Sequence, residues 1–311
     1  MDNKKKKIAL LLCSTGNEAF AVGNVIIGAK KYLFQNLKDE DYDVVFYTDK
    51  LEPNDENALK KIFPRIIIRI YKPPFDNITK NTDMFTYYSL FTYARFEGFD
   101  MLDDYRQLFY IDTDVVIQKD ISHVFDIKGD YNVCYYGNDI KIIDKLKNNA
   151  NQKTIENIIK DGYSLDKKEI MAGIYILNDT LHCYKEMKKW LYDFVIKYKL
   201  NDEDTLSIAM EHFNIKVNEL DKRYNCLPWS EIAKYAYILH SIGPKKFWRD
   251  TYNKDWEDNN KIWTEYGGNT TYNEIYKKRK IIDKIVWLIP SYNLRNKIRG
   301  FLLKKIGLSA R

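Results

Sequence analysis

The sequence predicts an α/β fold, a mixed and mostly parallel sheet flanked by helices and followed by a basic helical tail. Three observations predict it: short β-branched and aromatic runs alternate with helical patterns through the first half, those runs are apolar nearly throughout as strands covered on both faces are, and polar motifs follow their carboxyl ends. With 311 residues, 45% hydrophobic and 30% charged, the chain can bury a large core and does not read as a linker or a disordered tail.

The first strand is read at 7-13 (KIALLLC). The lysine run before it imitates a signal peptide. Its apolar stretch from Ile8 to Cys13 is too short for a leader core, and the bulky Leu12 argues against a lipoprotein site. A helical spacing follows in VGNVIIGAKKYLFQNL, then a strand at 43-48, a proline- and acid-led helix in PNDENALKKIF, and strands at 65-71 and 108-112. TYYSLFTYARFEGF (86-99) reads as a helix. The polar stretch 137-169 reads as an irregular excursion with one short helix around ENIIKDGY, before a buried strand at 170-178 and the helix YKEMKKWLYDFVIKY. In open α/β sheets ligands sit beyond the carboxyl ends of the strands, which draws attention to the loops after Cys13 and at Asp112 to Asp114.

The run LFYIDTDVVI sets two acids one residue apart at a strand end. On a strand Asp112 and Asp114 point one way and Thr113 the other, and two carboxylates on one side are stable where water or a cation meets them. Taken alone, the pair fits solvated acids, or the nucleophile loop of a haloacid-dehalogenase-type phosphatase with Asp112 as nucleophile. That loop normally opens its domain, however, whereas here more than a hundred residues precede it.

Several motifs in order resemble glycosyltransferase family 8, the retaining nucleotide-sugar transferases that include glycogenin and bacterial lipopolysaccharide galactosyl- and glucosyltransferases. YARFEGF is similar to the family's Y-x-R helix, LFYIDTDVVIQKDI to its metal motif and MAGIYILN to its N-A-G-V-x-L-x-N strand. NDEDTLS is similar to its D-Q-D-x-L-N segment and LHSIGPKKFW to its H-x-x-G-x-x-K-P-W. The likeness spans roughly residues 7-250. It implies a GT-A (Rossmann-like) domain over 1-250 with a helical extension over 251-311, and a metal-dependent retaining hexosyltransferase. Asp112, Asp114 and His240 would hold the metal, Mn²⁺ by the mixed oxygen and nitrogen donors with Mg²⁺ as the alternative. Cys13, Thr15, Asn17, Arg95, Thr113, Gly243 and Lys246, with the two aspartates, would bind the donor, a UDP-hexose carrying glucose or galactose. Asp202 and Glu203 would stand beside the reacting sugar. Glu203 replaces the family's glutamine, a change that permits a covalent intermediate. Met171 replaces the asparagine of N-A-G, which removes one sugar hydrogen bond. A catalytically silent sugar-nucleotide binder is the remaining alternative, favoured by those two replacements.

The net charge of +6 is unevenly spread: 277-311 holds eleven Lys and Arg against the single acid Asp283, so the rest of the chain is mildly acidic. No nucleic-acid groove is expected of such a body. The tail, with Trp287, Leu288, Ile298, Phe301, Leu302 and Ile306 among its basic residues, suits an anionic membrane surface, the alternative being a helix packed on the core with a solvated basic face. The expected acceptor is a glycan or glycolipid, and the expected location is cytoplasmic, peripheral on the inner face of the membrane. Four scattered cysteines without a CxxC agree with a reducing compartment.

Overall fold

A computed structural model of the chain describes residues 5–75, 90–136, 140–243, 245–249, 251–269 and 272–305. Seven strands form one sheet. They are β1 (Lys6–Cys13), β2 (Tyr42–Thr48), β3 (Ile67–Ile70), β4 (Tyr105–Ile111), β6 (Tyr131–Tyr135), β7 (Ile170–Asn178) and β8 (Val217–Glu219), and β5 (Val115–Ile117) pairs separately with β9 (Ile238–His240). The sheet order is β3-β2-β1-β4-β7-β6-β8. Pairing is parallel from β3 to β4, antiparallel where β7 meets β4 and β6, and parallel again between β6 and β8. The mixed, mostly parallel sheet is therefore as the sequence predicts.

The period of two divides the core between the faces of the sheet. Leu10, Leu12, Phe46, Phe109, Ile111 and Ile174 pack on one side and Leu11, Val45, Leu108, Tyr110 and Tyr175 on the other. The first side is covered by α1 (Ala19–Tyr32), buried from Ala19 to Ala29 because it lies between the sheet and α7 (Lys254–Glu265). Gly23 of α1 makes room for the fully buried Trp263 of α7; a Cβ there would stand 2.4 Å from the indole. Buried Asn259 donates to Asn24 Oδ1 at 3.0 Å and Asn24 to the Trp256 carbonyl at 3.1 Å, so the α1–α7 contact is polar as well as apolar. The first helix of the extension is thus integral to the main core. On α2 (Pro53–Ile62), proline opens the first turn, where its missing N–H costs nothing.

The opposite side carries the 3₁₀-wound segment Leu90–Asp103 and α5 (Tyr184–Tyr198). Residues 86–89 of the expected helix lie outside the described residues. The excursion corrects the sequence reading in part: an unexpected helix, α3 (Ile142–Asn149), precedes the short helix expected around ENIIKDGY, which is α4 (Gln152–Lys160). Ile142, Leu146, Ile155 and Ile158 bury a small core of their own against Phe194, Tyr198, Leu200 and, on α6 (Asp202–His212), Ile208. Its many lysines lie around that stripe, which hid the helical period. The last described residues form two packed helices, α8 (Tyr272–Trp287) and α9 (Tyr292–Lys305), joined through Ile282, Val286 and Leu303, and Ile306 lies outside the described residues. Among the described residues no helix is long and apolar enough to cross a membrane.

Candidate active site

The acidic pair does not lie on one continuous strand. β4 ends at Ile111, the backbone bends through Asp112 to Asp114, and β5 starts at Val115 in the second sheet. Thr113 turns inward, 7% exposed, while both carboxylates face His240. Two pairings fix the bend. The Asp112 N–H donates to the Gly173 carbonyl at 2.8 Å, and the Ser241 N–H donates to the Asp114 carbonyl at 2.9 Å. Because Val115 is registered opposite His240 across the β5–β9 ladder, the imidazole arrives beside the acids from far along the chain.

Asp112, Asp114 and His240 offer ligand atoms that all lie within 4.8 Å of one another. His240 Nε2 is 3.1 Å from Asp114 Oδ1 and 3.7 Å from Asp112 Oδ2. The neighbours aim the donors. Asn225 Oδ1 accepts from His240 Nδ1 at 2.8 Å, which turns Nε2 toward the acids, where a cation could take the place of the proton that Nε2 shares with Asp114. Asp112 Oδ1 accepts from Arg95 at 3.0 Å and from Tyr110 at 2.5 Å, leaving Oδ2 for the centre. Lys246 sits on the other oxygen of Asp114 and also donates to the Ser241 carbonyl at 2.9 Å. Burial disfavours the charge on Asp114, but His240 and Lys246 outweigh it and hold that carboxyl well below its usual range. Two hard oxygens and one oriented imidazole fit a divalent cation. Gly173 is required by the packing, since a Cβ would stand 2.4 Å from His240 Cε1 and 2.9 Å from Asp112 Oδ2.

A buried arginine ties this centre to a second set of acids. Arg95, 6% exposed, bonds Asp112 as above, approaches Asp202 Oδ2 at 2.8 Å and donates to the Ala172 carbonyl at 2.8 Å, with its guanidinium over the Tyr110 ring. Asp202 and Glu203 open α6, where Asn201 caps the Asp204 N–H at 2.7 Å. Burial raises both carboxyls. Arg95 counters it at Asp202, and Glu203 is pushed up to about 7 despite Lys145 and Tyr136. The acidic first turn is therefore also a well-capped helix start.

The remaining predicted residues lie nearby. Leu11 pairs with Tyr110, so the loop after β1 and Asp112 leave adjacent strands at the same end. Cys13 feels both Arg95 and Asp112, and burial raises its thiol. Thr15 precedes the 3₁₀ turn Gly16–Glu18, Asn17 is exposed, and the turn is pinned by Gly16 N–H to Asp49 at 2.8 Å. Gly243 adopts a φ of 67°, a conformation that favours glycine. Met171 is half-buried at the start of β7. Sequence reading passed over Tyr110, Asn225, Tyr136 and Lys145. The period of two could have found Tyr110, two residues before Asp112, but no spacing announces Asn225.

Comparison with known proteins accords with this geometry. A family model described as Glycosyl transferase family 8 matches residues 10–252. The WbbM bifunctional glycosyltransferase structure superposes with a TM-score of 0.59 at 17% identity, over 90% of this chain and 52% of that one, so the chain spans about half its length. The galactosyltransferase LgtC, solved in complex with donor and acceptor sugar analogs, gives a TM-score of 0.56 at 16% identity over 83% of this chain and 95% of that one. At such identities the likeness shows the fold alone, a GT-A-like one. No curated protein sequence matches the chain.

Proposed function

Since the chain belongs to glycosyl transferase family 8 and is thereby a glycosyltransferase, we propose that it moves glucose or galactose from a UDP-sugar to a glycan acceptor with retention at the anomeric carbon. The observation that carries the proposal is the meeting of Asp112, Asp114 and His240, drawn from two sheets and aimed by Arg95, Tyr110 and Asn225. A divalent cation held there, Mn²⁺ or alternatively Mg²⁺, would neutralise the diphosphate as the glycosidic bond breaks. Lys246 adds a positive charge on the same side, and Gly243 lets the backbone approach the phosphates. The loop of Cys13, Thr15 and Asn17, at the end of a neighbouring strand, suits the nucleoside. Asp202, joined to the centre through Arg95, and its neighbour Glu203 would face the sugar.

The acceptor we infer is lipid-linked or a surface polysaccharide, reached at the cytoplasmic face of the membrane. Support comes from the two terminal helices. Trp287 and Leu288, 72% and 80% exposed, lie at the turn between them, with Ile281, Ile285 and Phe301 also exposed among the basic residues. Each basic residue near an anionic surface adds about 1 kcal/mol of binding.

The test is a panel of nucleotide sugars with Mn²⁺, scored for slow nucleotide release without acceptor. UDP release from UDP-glucose or UDP-galactose that stops on chelation is the expected result. Acid-labile phosphorylation of Asp112 would instead support a phosphatase, and tight UDP binding with no turnover on any donor or acceptor a silent binder.

A further inference from the structure

We propose that Lys145 and Tyr136 are positioning residues for Glu203, which fix its carboxylate against the start of β7 and favour its ionised form; the inference rests on the glycosyltransferase reading above. Three contacts define the arrangement. Glu203 Oε2 accepts from the Ala172 N–H at 3.0 Å, its Oε1 accepts from the Tyr136 hydroxyl at 2.8 Å, and Lys145 Nζ stands 3.7 Å from that same Oε1. The ammonium also lies 3.8 Å above the Tyr136 ring, so the cation is held by the phenol and the carboxylate together.

The three residues come from three elements. Glu203 is on the first turn of α6, Tyr136 directly follows β6, and Lys145 belongs to α3, whose Ile142 and Leu146 pack in one cluster with Leu200 and Ile208 on either side of that turn. The inserted helix therefore has a role at the site: its apolar stripe seats it, and the seating delivers one lysine. The surroundings make that lysine necessary. Asp202, Asp204 and the fully buried Glu169 all raise Glu203 further or are raised by it, Arg95 is engaged by Asp112 and Asp202, and Lys145 is the cation that answers Glu203 itself.

This assigns an anchored anion to the position. With both oxygens bonded, Glu203 has a fixed direction and is held on Ala172, the residue next in the strand to Gly173, which packs on His240 and Asp112. A fixed negative charge there favours the positive charge that develops on the sugar ring as the diphosphate departs. Protonation would remove it, so activity should rise with pH through the ionisation of Glu203, which lies at about 7.

The test uses the full chain with Mn²⁺ and, in turn, UDP-glucose and UDP-galactose, following UDP release from pH 5.5 to 9. The wild type should show an acid limb near neutrality. In Lys145→Met the limb should move up by about one pH unit, which lowers release at pH 7 by roughly fivefold and leaves release at pH 9 within about twofold of wild type. Lys145→Arg should restore the limb, and Tyr136→Phe should move it less. Glu203→Gln should abolish it.

A second measurement needs no donor. The difference in urea midpoint between Glu203→Gln and wild type grows with pH and levels off above the ionisation of Glu203; the Lys145→Met background should shift that plateau to higher pH. A uniform loss at every pH, an unmoved plateau, or a limb that survives Glu203→Gln overturns the proposal. If the wild type releases no UDP from either donor, the donor assignment falls and the catalytic part of the role with it, while the plateau still reports whether Lys145 holds the charge on Glu203.

Discussion

Two groups of acids stand at the same end of the sheet and share one arginine, yet their charges are balanced in opposite ways. Around Asp112 and Asp114 the counter-charges are close: Arg95 on one carboxylate, Lys246 on the other, and His240 between. Asp114 is accordingly held far down. Around Asp202, Glu203, Asp204 and Glu169 acids outnumber cations, and burial pushes Glu203 to about 7 and Glu169 to about 10. The first group is organised to stay anionic and face a cation. The second holds Glu203 and Glu169 close to, or beyond, the point of protonation. What separates them is the supply of positive charge, since burial disfavours the charge on Asp114 as it does on Glu203.

The contrast can be broken most severely at the first group. Asp114→Asn removes a ligand oxygen and the partner of Lys246, and metal-dependent UDP release should fall by roughly a thousandfold, the scale of losing a principal electrostatic stabiliser. Titration with Mn²⁺ should show the lost affinity directly.

Arg95 tests the link. Arg95→Met would leave Asp112 and Asp202 without their shared buried cation, and we expect destabilisation of about 3–5 kcal/mol in urea unfolding at pH 7. The deficit should shrink as the acids are protonated at low pH.

Gly173→Ala touches only the geometry. Its added methyl would collide with His240, so the imidazole must shift; Mn²⁺ affinity should drop about 10–100-fold, a range typical of disturbed ligand orientation, with the circular dichroism spectrum unchanged.

The smallest effect belongs to the second group, and it has the opposite sign. Glu169 keeps its proton in the folded state up to about 10 but loses it near the ordinary carboxyl range when unfolded, so between those values the folded state binds more protons and stability declines as pH rises. Glu169→Gln removes that penalty while keeping the shape. It should therefore raise the melting temperature at pH 8 by a few degrees and leave it nearly unchanged at pH 4. A loss of stability at pH 8 would show that the charge surplus in this group is not real.

Much of this could be read from the linear chain. The strands from β1 to β4 and β7 followed from β-branched and aromatic runs, and Asp112, Asp114 and His240 were named together because ordered motifs resemble a known family. The excursion could not be read in the same way. The short helix expected around ENIIKDGY is found as α4, but in α3 the apolar Ile142 and Leu146 are sparse among lysines and asparagines, and a stripe that narrow becomes visible only against the partner that buries it. Asn225 and Lys145 escaped for a related reason, since each serves the site through a contact whose partner is remote in sequence.

The sequence by itself determined the alternation of strands and helices, the two-face division of the core and the identity of the acids, because these depend on local periodicity and on which side chains can carry charge. The tertiary structure decided which cation answers which acid. That outcome depends on distance and burial: the bend at Asp112, the β5–β9 register and the seating of α3 bring Lys246, His240 and Lys145 within reach, and in a water-poor site separations of a few ångströms set whether a carboxyl keeps its proton.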